Sequence, residues 1–121
     1  MHQVFFYRDR NGREPVVEYM AELASKKDKD SRIKLDKIND YIEILSRYGT
    51  QAGEPYIKHL EGNIWELRPL RDRILFVGWI NGNYVLLHHF MKKTQKTPTR
   101  EIEKAKREFA DLIERGVSYE S

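Results

Sequence analysis

Apolar positions change their period twice along this chain. His2 to Tyr7 reads as a short strand, because Val4, Phe5, Phe6 and Tyr7 supply β-branched and aromatic side chains. Asn11-Gly12 is a turn signal, and Pro15 suits the first position of a helix. Val16, Met20 and Leu23 then recur at helical spacing until the pattern fades near Ser25 to Lys27. Asp30 or Ser31 is placed to cap a second helix. Its stripe runs through Leu35, Ile38, Ile42 and Leu45, with Tyr41 and Tyr48 beside it, and Gly49 stands where a helix terminator belongs.

The middle third switches to strand character. Gln51 to Pro55 reads as loop, Tyr56 to Leu60 as a strand, and Gly62-Asn63 as a hairpin turn. Ile64 to Leu70, a tight turn around Arg71-Asp72, and Arg73 to Ile80 continue the pattern. Asn81-Gly82-Asn83 signals another hairpin, and Tyr84 to Met91 forms the last strand. Lys92 to Thr97 is a polar loop; Thr97 suits a cap and Pro98 a first helical position. Ile102, Ala105, Phe109 and Leu112 mark a final amphipathic helix ending at Gly116, with residues 117–121 as a loose tail. The order β-α-α-β-β-β-β-α predicts one α+β domain over residues 1–121, a curved antiparallel sheet packed against helices.

Composition narrows the chemistry. With 121 residues and no cysteine, a thiol nucleophile, a Cys-ligated zinc and a disulfide frame are all excluded. No long apolar run suggests a signal peptide or a membrane span, and the expected compartment is reducing cytoplasm. Net charge is only +3, but it is unevenly spread. Residues 58–107 hold eleven Lys or Arg against five Asp or Glu, whereas residues 14–48 hold seven against eight. This gathering of positive charge reads either as a polyanion-binding surface or as scattered solvated lysine.

Strand alternation sorts the candidates. Trp65 and Leu67 share one face and look like core; Glu66 and Arg68 share the other. Such a pair is an ordinary surface ion pair unless something joins it. Arg73 opens the next strand and lies across the hairpin from Arg68, so two guanidiniums converge on one anion-sized space that suits phosphate. Lys92, Lys93 and Lys96 sit in the loop that follows the last strand. His88 and His89 point to opposite faces, so at most one joins the basic side, and a structural role is the plainer reading for either. The four histidines, His2, His59, His88 and His89, have no metal-ligand spacing, so no metal and no cofactor is expected. A glycine-rich phosphate loop and a serine nucleophile elbow are also missing.

The run Lys58-His59-Leu60-Glu61-Gly62-Asn63-Ile64-Trp65-Glu66-Leu67-Arg68 resembles the KxLxxGxWELR segment of the phage-type HigB branch of the RelE/ParE toxin superfamily. Arg73-Ile74-Leu75-Phe76 resembles the following strand, and Leu87 to Pro98 resembles the LHxFxKKTxKTP segment. The resemblance implies a RelE-like fold and the toxin of a type II toxin–antitoxin pair. Such a toxin is a ribosome-dependent endoribonuclease that cuts mRNA without a metal. It also implies a cognate antitoxin, often with a helix-turn-helix DNA-binding domain.

Carried over by position, Arg73 matches the principal active-site arginine, and Arg68 a further basic position. Lys93 falls where RelE has an arginine. Glu66 departs from the lysine of RelE but fits the HigB-type motif, and the C-terminal tyrosine of RelE has no counterpart. The expected assignment is Arg73 and Arg68 for phosphorane charge, Glu66 as base and Lys93 at the leaving group. Lys58, His59, Arg71, Lys92 and Lys96 are then expected to hold mRNA and ribosomal RNA backbone by charge. Glu66 is expected to be exposed. Two other readings stay open: a ParE-like inhibitor of DNA gyrase that cuts nothing, and a plain RNA-binding module.

Overall fold

A computed structural model describes residues 1–116; the tail, 117–121, lies outside the described residues. The elements run β1 (Val4–Phe6), α1 (Pro15–Ser25), α2 (Lys29–Tyr48), β2 (Ile57–Glu61), β3 (Ile64–Leu67), β4 (Asp72–Trp79), β5 (Asn83–Met91) and α3 (Thr99–Arg115). This is the expected α+β order. The sheet order is β1-β5-β4-β3-β2. Strands β2 to β5 form an antiparallel meander. The first strand departs from the antiparallel expectation: β1 pairs with β5 in parallel at one edge. The long crossover through both N-terminal helices and the meander makes that direction possible.

The sheet is covered on both faces, so its central strands are apolar in both directions. Ile74 and Phe76 of β4 and Leu86 of β5 meet Val16, Leu23, Ile38 and Leu45 of α1 and α2. Leu75, Val77, Val85 and Leu87 meet Ala105 and Leu112 of α3. Between Leu75 and Phe76 the register against β5 slips: Leu75 pairs with His88 and Phe76 with Leu86. Leu87 is the extra residue of this bulge. The slip turns His88 to the α3 face and His89 to the α1/α2 face, the reverse of what unbroken alternation from Leu87 gives.

Local boundaries differ from the expectations where a side chain found another partner. Asp28, rather than Asp30 or Ser31, caps α2; its carboxylate accepts from the Ser31 amide at 2.9 Å. Asp30 falls in the first turn, where its charge still favours the helix N-terminus. The β3–β4 turn runs over residues 69–71, with the Asp72 amide donating to the Pro69 carbonyl and Leu70 at φ 58°. Asp72 belongs to β4 because its buried carboxylate accepts the Tyr19 hydroxyl of α1 at 2.8 Å. Helix α3 starts after Pro98 without a side-chain cap. The Thr97 hydroxyl, expected to cap it, donates to Glu66 instead. Gly49 and Gly116 end α2 and α3 as expected.

Candidate active site

The α3 face divides into a dry half under the helix and a polar half beyond it. Glu66 pairs with Leu75, and Arg73 with Phe90, so their side chains share this face. Arg68 follows the Leu67–Ile74 pair and returns toward Arg73 across the hairpin. Glu66 Oε2 lies 3.4 Å from Arg68 Nε and 3.9 Å from Arg73 Nε. Its Oε1 accepts the Thr97 hydroxyl at 2.5 Å.

The expectation of an exposed Glu66 is therefore corrected: the residue is 2% exposed. The 92–98 loop and the two guanidiniums close over it. A carboxylate so placed is more than half of a surface ion pair; it is the anchor on which both arginines turn.

Arg73 is 6% exposed, and its Nη1 donates to the Leu70 and Asp72 carbonyls at 2.8 Å each. Burial pushes its guanidinium down from its ordinary value, Arg68 adds to that, and Glu66 opposes it. Arg68 reaches the other way as well, with Nη1 on Glu54 Oε1 at 3.0 Å. Its Nε is buried without a hydrogen-bond partner, although it faces Glu66. An unspent guanidinium donor beside a second guanidinium is a geometry that favours a bound anion.

These groups floor a hollow of about 220 Å³, whose rim includes Lys58, His59, Lys92, Lys93 and Lys96. Lys58 stands opposite Glu66 on β2. His59 also borders the hollow, but its Nε2 is engaged by the Gly62 carbonyl at 2.7 Å, and its ring tilts against Trp65. Arg71 lies outside this hollow and lines a second one of about 610 Å³ with Leu70. Arg73, Lys92 and Lys93 border both. Arg71 and Lys92 fasten the turn to the loop: the Lys92 amide donates to the Arg71 carbonyl at 2.8 Å, and Arg71 Nη2 to the Lys92 carbonyl at 3.1 Å.

All nine basic and acidic candidates thus gather at one end of the sheet, around the β3–β4 turn and the loop after β5. Sequence reasoning missed two partners. Thr97 was legible only as a cap, and Glu54 sits in a loop with no pattern to point at Arg68.

Neither central histidine enters the hollow as a free base. His88 is 1% exposed and locked between Glu101 and Glu108. His89 stacks on Tyr19 at 3.5 Å, and burial pushes its imidazole down. Another recess, about 670 Å³, lies at the start of β5 beside His2, Gly49 and Tyr84, with Arg47 as the one lysine or arginine among the described residues that line it. Among the described residues, no three His, Asp or Glu side chains cluster as metal ligands, and no helix is long and apolar enough to cross a membrane.

A small α+β domain with a cationic hollow at the open end of its sheet is the class that fold and site define. The chain matches the family described as phage derived protein Gp49-like (DUF891) over residues 21–110. It belongs to that family, which is RelE-toxin-like in general character. The match spans both the α2 stripe and the whole of the hollow. No curated protein matches the chain.

Proposed function

We propose that this chain is the toxin of a type II toxin–antitoxin pair, of the HigB-like branch, and that it cuts translated mRNA on the ribosome without a metal. The observation that carries the reading is the convergence of Arg68 and Arg73 on buried Glu66 beneath a lysine rim. That arrangement suits a phosphodiester whose own 2′-OH attacks the neighbouring phosphorus. The bond to the 5′-oxygen breaks, leaving a 2′,3′-cyclic phosphate and a 5′-hydroxyl. Arg73 and Arg68 stabilise the phosphorane, each such donor being worth ~3–4 kcal/mol in a preorganised site. Glu66 takes the 2′-OH proton, and Lys93 protonates or stabilises the leaving oxygen. Lys58, His59, Arg71, Lys92 and Lys96 hold the backbone by charge.

Dependence on the ribosome follows from what the protein itself has spent. A free-standing ribonuclease usually positions a histidine acid and base. Here all four histidines are committed: His2 to the Gly82 carbonyl, His59 to Gly62, His88 to two glutamates and His89 to Tyr19. Glu66 has both oxygens engaged. Delivery of the 2′-OH in line with the leaving oxygen, worth ~7–11 kcal/mol, must then come from outside. A ribosome that holds the message in a bent shape supplies it.

The test is to translate a defined message with the protein present and map new 5′ ends, with naked RNA and a gyrase supercoiling assay alongside. Codon-phased ends on translated message and slow cutting of naked RNA are expected. Equal rates on both, or loss of supercoiling without new ends, overturns the reading.

The partner that silences such a toxin is an antitoxin whose acidic segment covers the hollow, with its own helix-turn-helix domain for DNA. Its affinity is expected to fall as salt rises from ~50 to ~500 mM, measured by calorimetry. An affinity indifferent to salt places the antitoxin on an apolar surface elsewhere.

A further inference from the structure

We propose that His88 is a positioning residue for the cationic hollow, clamping α3 to the sheet through Glu101 and Glu108 and thereby seating the 92–98 loop over Glu66. Its bearing on cleavage rests on the function proposed above.

His88 Nδ1 lies 2.6 Å from Glu108 Oε1, and Nε2 lies 3.0 Å from Glu101 Oε1. The two glutamates are seven residues apart, so two turns of α3 present them on one face. One buried ring therefore grips the helix at its first turn and again further along. The first turn is where the 92–98 loop ends. That loop is held at its start by the Lys92–Arg71 backbone bond and near its end by Thr97 on Glu66. If the helix start shifts, Thr97 leaves Glu66, and Glu66 is the anchor of both arginines. An ångström of displacement there is enough to spoil an in-line geometry.

The clamp also has a proton count. A neutral imidazole carries one N–H and one acceptor nitrogen. Two ionised carboxylates, one against each nitrogen, require two N–H donors. The cluster therefore holds one proton more than a neutral ring supplies, on the ring or on a carboxyl oxygen. Other charged and titratable groups stand near the cluster. Arg100 Nε lies 3.8 Å from Glu101 Oε2. The Tyr7 hydroxyl feels the Glu108 charge. Glu66 stands in the same cross-strand row as Leu75 and His88. His89 lies on the other face.

Without that second donor, a ring lone pair faces an anion. The Glu101 arm is the longer and its carboxylate the more open, 17% against 10% for Glu108, so that arm opens first. Glu101→Gln separates this account from a merely structural one. A glutamine keeps the shape of the arm and donates an N–H to the ring nitrogen, closing the cluster with no extra proton.

The experiment follows the Lys96 and Thr97 amides of the full chain by NMR in the unmodified protein, Glu101→Gln and Glu101→Ala, with cleavage of translated message measured alongside. Glu101→Gln is expected to keep the Thr97 amide at its unmodified position and the rate near the unmodified one. Glu101→Ala is expected to move the Thr97 amide and to lower cleavage about tenfold. The proposal is overturned if Glu101→Gln displaces the Thr97 amide as far as Glu101→Ala does, or if Glu101→Ala leaves it unmoved. If the amides behave as expected while the unmodified protein cuts no message, the clamp stands and the nuclease reading falls.

Discussion

The two faces of the sheet solve different problems with the same strands. The face under α1 and α2 is almost wholly apolar, with Ile38, Leu45, Ile74, Phe76 and Leu86 out of contact with water. Its main polar insertion is the Tyr19–Asp72 bond with His89 stacked beside it. The face under α3 is apolar only where the helix lies, around Leu75, Val77, Leu87 and Leu112. Under the helix His88 is the polar exception, and beyond the helix the same face carries Glu66, Arg68 and Arg73, all largely withdrawn from water yet charged. Two helices cover one face, whereas one helix and a short loop cover the other. The uncovered length is where charge accumulates. The comparison teaches that one face is given almost wholly to core, while the other divides between core and ionic machinery. Each buried ion there is tolerated because a specific partner faces it.

Truncation on the dry face gives the largest change in stability. Leu45→Ala removes a side chain with no exposure and is expected to cost about 2–5 kcal/mol in denaturant unfolding. Per folded molecule, any cleavage activity should be unchanged. A variant that loses activity while its stability holds breaks the division between the faces.

Arg73→Ala is the opposite case. It is expected to lower message cleavage about 100- to 1,000-fold and to relieve growth inhibition, with a cooperative melt retained. A folded Arg73→Ala protein that remains fully toxic removes the hollow from the mechanism.

The smallest effect sharpens the boundary between α3 and the N-terminal strand. Asp111 of α3 accepts from Arg115, from the Tyr7 hydroxyl at 2.6 Å and from Arg10 at 2.7 Å. The Arg115 hydrogen bond leads in holding its carboxyl down at about 2, with Tyr7 and Arg10 adding and burial opposing. The unfolded carboxyl titrates near ~3.9. The folded value is depressed, so this stabilisation is complete above that pH and is lost as pH falls toward about 2. Asp111→Asn is expected to lower stability by about 1 kcal/mol at neutral pH. Thermal melts of the two proteins should converge in acid; a gap that persists at about pH 2 assigns the loss to packing instead.

Much of the site was legible before the fold was. Arg68 and Arg73 bracket a short turn between two strands, and a hairpin brings such residues together whatever packs around it. The lysines after the last strand fall at the end of the next hairpin, where β5 finishes beside the start of β4. What could not be read was burial. Glu66 alternates with core residues, and alternation alone assigns it to solvent; only the 92–98 loop folding back makes it an anchor. Thr97 looked like a cap because capping needs only local chain, while its actual partner is 31 residues away in β3.

The sequence by itself determined the elements, their order and the gathering of positive charge, since helix stripes, strand alternation and turn residues are properties of neighbours along the chain. The tertiary structure decided the rest. It set β1 parallel to β5, because strand direction at an edge depends on which edge is free. It placed the bulge at Leu87, and with it the choice of which histidine meets α3. It also turned Glu66 from a surface charge into the buried pivot of two arginines, because burial depends on what returns from a distance to cover a residue.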